Sequence, residues 1–274
     1  MRSKTLRVMF LGDLAGPPGL AMFERWAPRL KEKHKIDMLV VNGENTAKNG
    51  RGISPEIVEQ LQAAGAHVIT SGNHVWANKK IYSLIDESKV LIRPANYPAG
   101  CPGKGYSIVE AGVSGVSVAV VNIQGRVFMH EDLDCPFRTI ESLLTFLKSK
   151  TKLIFVEFHA EATSEKQAMR FFLDGKVTGL YCSHTHVQTA DEMILPSGTS
   201  YITDLGFSGA RYSALGVQSE IILERFLTQM PVLFKVEKKG PMVMNGIWAE
   251  VDVETGKTLH IERVNVIDGE LVVE

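Results

Sequence analysis

Short β-branched or apolar runs alternate with amphipathic stretches along the whole chain, and this alternation predicts a layered α/β fold. Two further observations agree. No internal repeat or low-complexity segment interrupts the pattern, and 274 residues with 45% hydrophobic and 22% charged side chains make an ordinary globular composition. At roughly 100–200 residues per domain the length allows one large domain or two small ones. Sheet-forming runs are spread from end to end, so the expected organisation is a single domain over residues 1–274.

The first run, Leu6 to Leu11, ends in Gly12-Asp13, and a Gly/Pro loop (Gly16-Pro17-Pro18-Gly19) leads into a helix from about Leu20 to Lys33. Met38 to Val41 reads as a buried strand and residues 42–52 as a polar loop. Ser54 then offers an N-cap, with Pro55 at the first helical position, where its missing N–H costs nothing. Val68 to Thr70 completes a β-α-β-α-β half. Residues 93–106, rich in Pro and Gly, read as a loop folded over a site. Beyond it, Val116 to Asn122, Leu153 to Phe158 and Gly179 to Cys182 read as strands, with helices near Ile140 to Lys148 and Ser164 to Leu173. Ile247 to Val253 and Leu259 to Val266 flank a Glu-Thr-Gly-Lys turn, which predicts a C-terminal hairpin over about 245–268.

Composition narrows the partners. Thirty Lys+Arg balance 31 Asp+Glu, a formal net charge of -1, so no overall field holds a nucleic-acid backbone, and no local basic run replaces it. No apolar stretch approaches the roughly 20 residues that span a bilayer. The start turns polar at Gly12-Asp13 before a signal-peptide core develops, so the expected location is the cytoplasm, with no membrane partner. Cys101, Cys135 and Cys182 form no C-x-x-C pair and are odd in number, which fits a reducing compartment and signals neither a disulfide framework nor a zinc knuckle. Residues 12–19 match neither G-x-G-x-x-G nor G-x-x-x-x-G-K-[ST], which excludes those two nucleotide-binding loops. A homo-oligomer stays open.

The chemistry lies at the C-terminal ends of the predicted strands. There stand Gly12-Asp13, Asn42-Gly43-Glu44-Asn45, Ser71-Gly72-Asn73-His74, His159 and Ser183-His184-Thr185-His186. In open α/β sheets ligands bind at that edge, and neighbouring strand ends lie about 4.8 Å apart, so residues distant in sequence can converge. Two carboxylates, two carboxamides and three histidines then suffice to surround a pair of metal ions. Imidazole, carboxylate and carboxamide without thiolate suit Fe, Mn, Zn or Ni better than Ca or a structural zinc. His184 and His186, two apart on what reads as an extended segment, are expected to point to the same side.

The succession G-D, G-N-H, a solitary His and H-x-H resembles the calcineurin-like metallophosphoesterase superfamily. The strings V-N-G-E-N (41–45), T-S-G-N-H-V-W (70–76), R-P-A-N-Y-P (93–98), H-A-E-A-T-S-E-K (159–166) and H-T-H-V-Q-T-A-D (184–191) are similar to the YmdB-type bacterial phosphodiesterases, over Val8 to about Gly216. That resemblance implies an α/β/β/α sandwich of the metallophosphoesterase type. It implies two divalent or mixed-valent metal ions, Fe or Mn foremost, and a small phosphodiester substrate such as a 2′,3′-cyclic nucleotide. Position by position, Glu44 would bridge both metals, Asp13, Asn45 and His186 would complete one, and Asn73, His159 and His184 the other. His74 would be the general acid. The superfamily's usual histidine two residues after the first aspartate is missing in the family, and here the position is Ala15. Ala77, where an acidic residue is expected, and Glu157, where Asp is expected, depart from the pattern and put the support behind the ligands, or a helix cap, in question.

Each residue also has a plainer reading. Asp13 could cap the following helix, Asn45 and Asn73 could hold left-handed turn conformations, His159 could be a core histidine, and His74 could orient ligand oxygens rather than move protons. Phe128 and Met129 read either as a flap over substrate or as core. The rival functions are a phosphomonoesterase or nucleotidase, a metal-bound regulatory protein with weak turnover, and a ribonuclease, which would need a basic groove.

Overall fold

The computed structural model of the chain describes residues 4–112 and 115–269, so the ends of the expected 1–274 domain lie outside the described residues. The first half runs β1 (Thr5–Leu11), β2 (Asp13–Leu14), α1 (Gly16–His34), β3 (Met38–Asn42), α2 (Pro55–Ala63), β4 (Val68–Thr70) and α3 (Ile81–Glu87). Then come β5 (Tyr106–Ala111), β6 (Val116–Gln124), α4 (Pro136–Lys148), β7 (Leu153–His159), α5 (Thr163–Leu173) and β8 (Gly179–Ser183). The chain closes with β9 (Met193–Ile194), β10 (Ser200–Ile202), β11 (Phe207–Ala210), α6 (Ser219–Thr228), β12 (Met242–Asp252) and β13 (Thr258–Asp268).

Two sheets face each other. One has the order β2-β11-β12-β1-β3-β4, with β13 on the other edge of β12; the second has the order β5-β6-β7-β8-β10-β9. Side-chain alternation builds the layers. Val8, Phe10, Met38 and Val40 point into the core between the sheets, where they meet Val118, Val120, Phe155 and Tyr181. Their neighbours Met9, Leu11, Leu39 and Val41 point outward against Met22, Phe23, Val58 and Ile85 of α1, α2 and α3. On the far side Ala119, Val121, Ile154 and Val156 pack against Ile140, Leu144 and Met169 of α4 and α5. A strand buried on both faces must be apolar throughout, which is why these runs read as continuous rather than alternating. The α/β/β/α order implied by the resemblance is the observed one.

Several expectations are corrected. Helix α1 begins at Gly16, four residues early, because proline is tolerated in a first helical turn. The predicted hairpin exists, and its β12 pairs antiparallel with all of β1, from Thr5↔Asp252 to Leu11↔Gly246. Residues 93–105 are a loop, and Tyr106 already starts β5; the loop is tied down where the Arg93 guanidinium donates to the carbonyls of Pro94, Cys101 and Pro102. Helices α3 and α6 and strands β5, β9, β10 and β11 were not legible. No helix among the described residues is long and apolar enough to cross a membrane.

Parallel pairing positions the site. β1, β3 and β4 run parallel in one sheet, and β6, β7 and β8 in the other. Their C-terminal ends share one edge of the sandwich.

Candidate metal centre

All seven side chains expected around the metals meet at that edge. His159 Nε2 lies 3.0 Å from Glu44 Oε1, 3.0 Å from Asn73 Oδ1 and 3.0 Å from His184 Nδ1. His186 Nε2 lies 3.7 Å from Asp13 Oδ1 and 3.3 Å from Asn45 Nδ2, and that amide is 3.2 Å from Glu44 Oε1. Glu44 thus touches both groups. A single ring nitrogen cannot satisfy three polar neighbours with one lone pair or one proton; atoms arranged in this way suit a shared cation.

Asp13 Oδ1 agrees with that reading, being buried and without a hydrogen-bond partner, a condition that is costly unless something else neutralises it. The site is also cradled. A Cβ at Gly72 would stand 2.3 Å from His159 and 2.4 Å from Glu44 Oε2, so only glycine lets the β4 loop carry Asn73 over these ligands. Glu44, His159 and His184 offer ligand atoms close enough to share one ion. The residues present fit a metal.

Each imidazole is anchored on one nitrogen and presents the other. His159 Nδ1 is 3.0 Å from Ser183 Oγ, which itself donates to Glu157 Oε1 at 2.8 Å. His184 Nε2 faces Glu161 Oε2 at 3.0 Å, and His186 Nδ1 faces the Leu215 carbonyl at 3.1 Å. The acceptors take the N–H and leave the opposite lone pair aimed inward, the arrangement by which metal-binding histidines are oriented. Glu161 and Leu215 were missed in the sequence; only Glu161, inside the H-A-E-A-T-S-E-K string, left a signal there.

Electrostatics follows from burial and proximity. Burial opposes charge on Asp13, but the neighbouring His186, with His159 and His184, holds its pKa well below the usual carboxylate range. Burial would lower His159 as well, yet Glu44 and Asp13 push it up to about 9. Burial and the neighbouring His159 push His184 down to about 3. A field that favours positive charge at His159 suits a cation at this place.

The plainer readings of Asp13, Asn45 and Asn73 do not hold. Asp13 caps nothing, since α1 starts from Ala15 without a side-chain cap. Asn45 and Asn73 have no positive φ. His159 is buried, but among ligands rather than in apolar surroundings. Glu157 is not an idle departure: buried beneath the cluster, it accepts from Asn42 at 2.6 Å, from Thr70 and from Ser183, and burial raises its pKa to about 7. Ala77 is exposed and α3 begins from Lys80, so no cap is lost there.

One geometric expectation was wrong. His184 and His186 do not lie on an extended segment: β8 stops at Ser183, and both have positive φ, 102° and 63°. Non-glycine residues hold such backbone only when the surroundings impose it. Asp204 does so, accepting from Thr185 N and Oγ1 at 3.1 and 2.7 Å and from Gly206 N at 2.8 Å. Its charge is balanced by the buried Lys166, 2.8 Å away.

His74 lies beside the cluster rather than in it. Its backbone N–H donates to Glu44 Oε2 at 3.1 Å, and its half-buried ring lines a cavity of about 310 Å³ that opens on Glu44, Asn45, His184 and His186. Burial lowers its pKa, Glu44 acting against and Arg51 with that shift. Phe128 is 83% exposed, so it is not a core residue.

The model of the family described as YmdB-like protein matches residues 9–264. A 2′,3′-cyclic-nucleotide 2′-phosphodiesterase of Bacillus subtilis (strain 168) is 43% identical over 269 residues, covering 98% of this chain and 100% of that protein. A solved structure of a novel phosphatase from Mycoplasma pneumoniae superposes with a TM-score of 0.90 at 34% identity, covering 97% of this chain and 94% of that one. A hypothetical protein from Thermus thermophilus gives a TM-score of 0.88 at 37% identity over 96% and 100% of the two chains.

Proposed function

The chain belongs to the YmdB-like protein family, and from that premise we propose that it is a dinuclear-metal-dependent phosphodiesterase of small phosphodiesters, 2′,3′-cyclic nucleotides such as 2′,3′-cAMP first among them. The observation that carries the reading is the set of three imidazoles, each anchored through one nitrogen while the other faces a cluster that includes the buried carboxylates of Asp13 and Glu44. The activity of the Bacillus subtilis relative supports the substrate class.

In this reading Asn73, His159 and His184 would hold one ion, Asp13, Asn45 and His186 the other, and Glu44 would serve both. The distances support the division, since His159 lies 3.0 Å from both Asn73 and His184 while Asn45 and Asp13 gather round His186. Asn45 aims Nδ2 at His186, and a half-turn of its amide would present the oxygen there. The donor set of imidazole, carboxylate and carboxamide favours Fe or Mn. When bound, two divalent ions supply water activated near neutral pH and a cationic clamp for phosphate oxygens. Ser183 and Glu157 keep His159 oriented, and Glu161 does the same for His184. His74, at the cavity wall, delivers a proton to the leaving oxygen. The unpaired cysteines support a cytoplasmic location, and we propose that the chain works as one domain.

Elemental analysis of the purified protein followed by assay in Mn²⁺ and Fe²⁺ tests the proposal. We expect about two ions per chain and turnover of 2′,3′-cAMP well above that of nucleoside monophosphates. Preferred hydrolysis of monoesters would establish the nucleotidase alternative, and full metal occupancy with negligible turnover the regulatory one.

A further inference from the structure

The cavity beside the cluster has a second wall, and it comes from the part of the sequence that carried no motif. Besides Glu44, His74 and His186, the cavity is lined by Leu215, Val217, Phe234 and Val236. This wall is built in. Val217 and Val236 bridge each other, Gln218 N donates to the Lys235 carbonyl at 3.0 Å and Glu237 N to the Gly216 carbonyl at 2.9 Å. Val236 seats against the backbone at the start of α1, where a Cβ on Gly16 would lie 2.7 Å from its Cγ1. The Leu215 carbonyl that anchors His186 belongs to the same segment, so the apolar wall and the ligand cluster are held in register.

Resting on the phosphodiesterase reading, we infer that this wall is the subsite for the nucleobase of the substrate, with Phe234 as its stacking platform and Arg51 as a cationic contact for the phosphate. A phosphodiester drawn to the ligand cluster must direct its organic part into the same cavity, and the surface it meets there is apolar and carries one aromatic ring, 39% exposed. Bases stack on such rings whatever their hydrogen-bonding edge. A cavity of about 310 Å³ lies at the small end of ligand sites and suits a mononucleotide rather than a polymer. Arg51 also lines the cavity and is near enough to act electrostatically on His74. Its side chain has no carboxylate partner among the described residues.

The test compares the full-length metal-loaded protein with Phe234→Ala, Phe234→Tyr and Arg51→Gln. Two readouts are taken: kcat/KM on 2′,3′-cAMP and on the base-free glycerol 1,2-cyclic phosphate, and calorimetric binding of adenosine 3′-monophosphate against glycerol phosphate. Phe234→Ala should weaken both adenosine readouts by roughly 10- to 100-fold, the range of one base stacked on one ring, and leave the base-free ligands unchanged. Phe234→Tyr should restore them, while Arg51→Gln should weaken all phosphate ligands alike. If Phe234→Ala changes both ligand classes equally, or neither, the subsite is wrong even where wild-type turnover is high. If no diester is hydrolysed but adenosine 3′-monophosphate binds through Phe234, the subsite stands and the phosphodiesterase reading falls. Absence of both turnover and base-dependent binding overturns the two together.

Discussion

The two walls of the cavity are built in opposite ways. The ligand wall grows from the ends of strands in both sheets, and its Asp13, Glu44 and His159 are buried and cross-braced by contacts that reach from Asp13 to His184 and His186. The apolar wall belongs to a segment running from Leu215 to Val236 whose helix, α6, buries none of its residues. One wall is fixed by the sandwich that carries it; the other is held by a few backbone hydrogen bonds and the seating of Val236. The difference teaches that chemistry and selectivity rest on parts of unequal stability, so damage to the first should be all-or-none and damage to the second graded.

The largest effect should come from Glu44→Gln. The carboxylate touches both halves of the cluster, and a neutral amide cannot span two cations as well. Metal content by elemental analysis should fall below two ions per chain and turnover should vanish, with the circular dichroism of the fold retained. Two retained ions with near-normal rate would remove Glu44 from its bridging place and break the contrast at its centre.

His74→Asn sharpens the contrast, because His74 borders the ligand wall without belonging to it. Both ions should stay bound while kcat for a 2′,3′-cyclic nucleotide drops by roughly 10²–10⁴-fold, the range of a positioned proton donor. Bis-p-nitrophenyl phosphate, whose leaving group departs without a proton, should lose much less. Loss of metal, or an equal loss on both substrates, would make His74 an orienting residue.

The same division explains what could be read from the sequence. Asp13, Glu44, Asn73 and His159 were legible because each follows a buried strand whose apolar run marks its own end, and parallel pairing then brings those ends together. The turn at His184 and His186 was not, because its left-handed backbone is imposed by Asp204, which lies beyond the next loop, and by Lys166 on α5. The central place of β12 was hidden for a related reason: pairing of Gly246 with Leu11 spans nearly the whole chain, and the turn at residues 254–257 specifies only the local hairpin. Helix α6 was unreadable in another sense. Ile221, Ile222, Leu223, Phe226 and Leu227 look like core residues, and the structure gives them no core.

That last point yields the smallest expected effect. Phe226 and Leu227 are 70% and 83% exposed, so replacing both with serine removes almost no burial gained on folding. Surface changes of this kind shift stability by no more than about 0.5 kcal/mol each, and the thermal midpoint should move by only a few degrees. Phe155→Ala, in the core between the sheets, should by contrast cost about 3–5 kcal/mol. Metal content of the α6 variant should be unchanged, because no ligand or anchoring acceptor lies on that helix. Scanning calorimetry with light scattering checks both statements at once. A large fall in midpoint together with a smaller particle would show that α6 is covered by a second copy in solution, and the apolar wall would then be as firmly supported as the ligand wall. An unchanged midpoint at constant mass leaves the contrast intact: a rigid cluster facing a wall whose helix adds nothing to the fold.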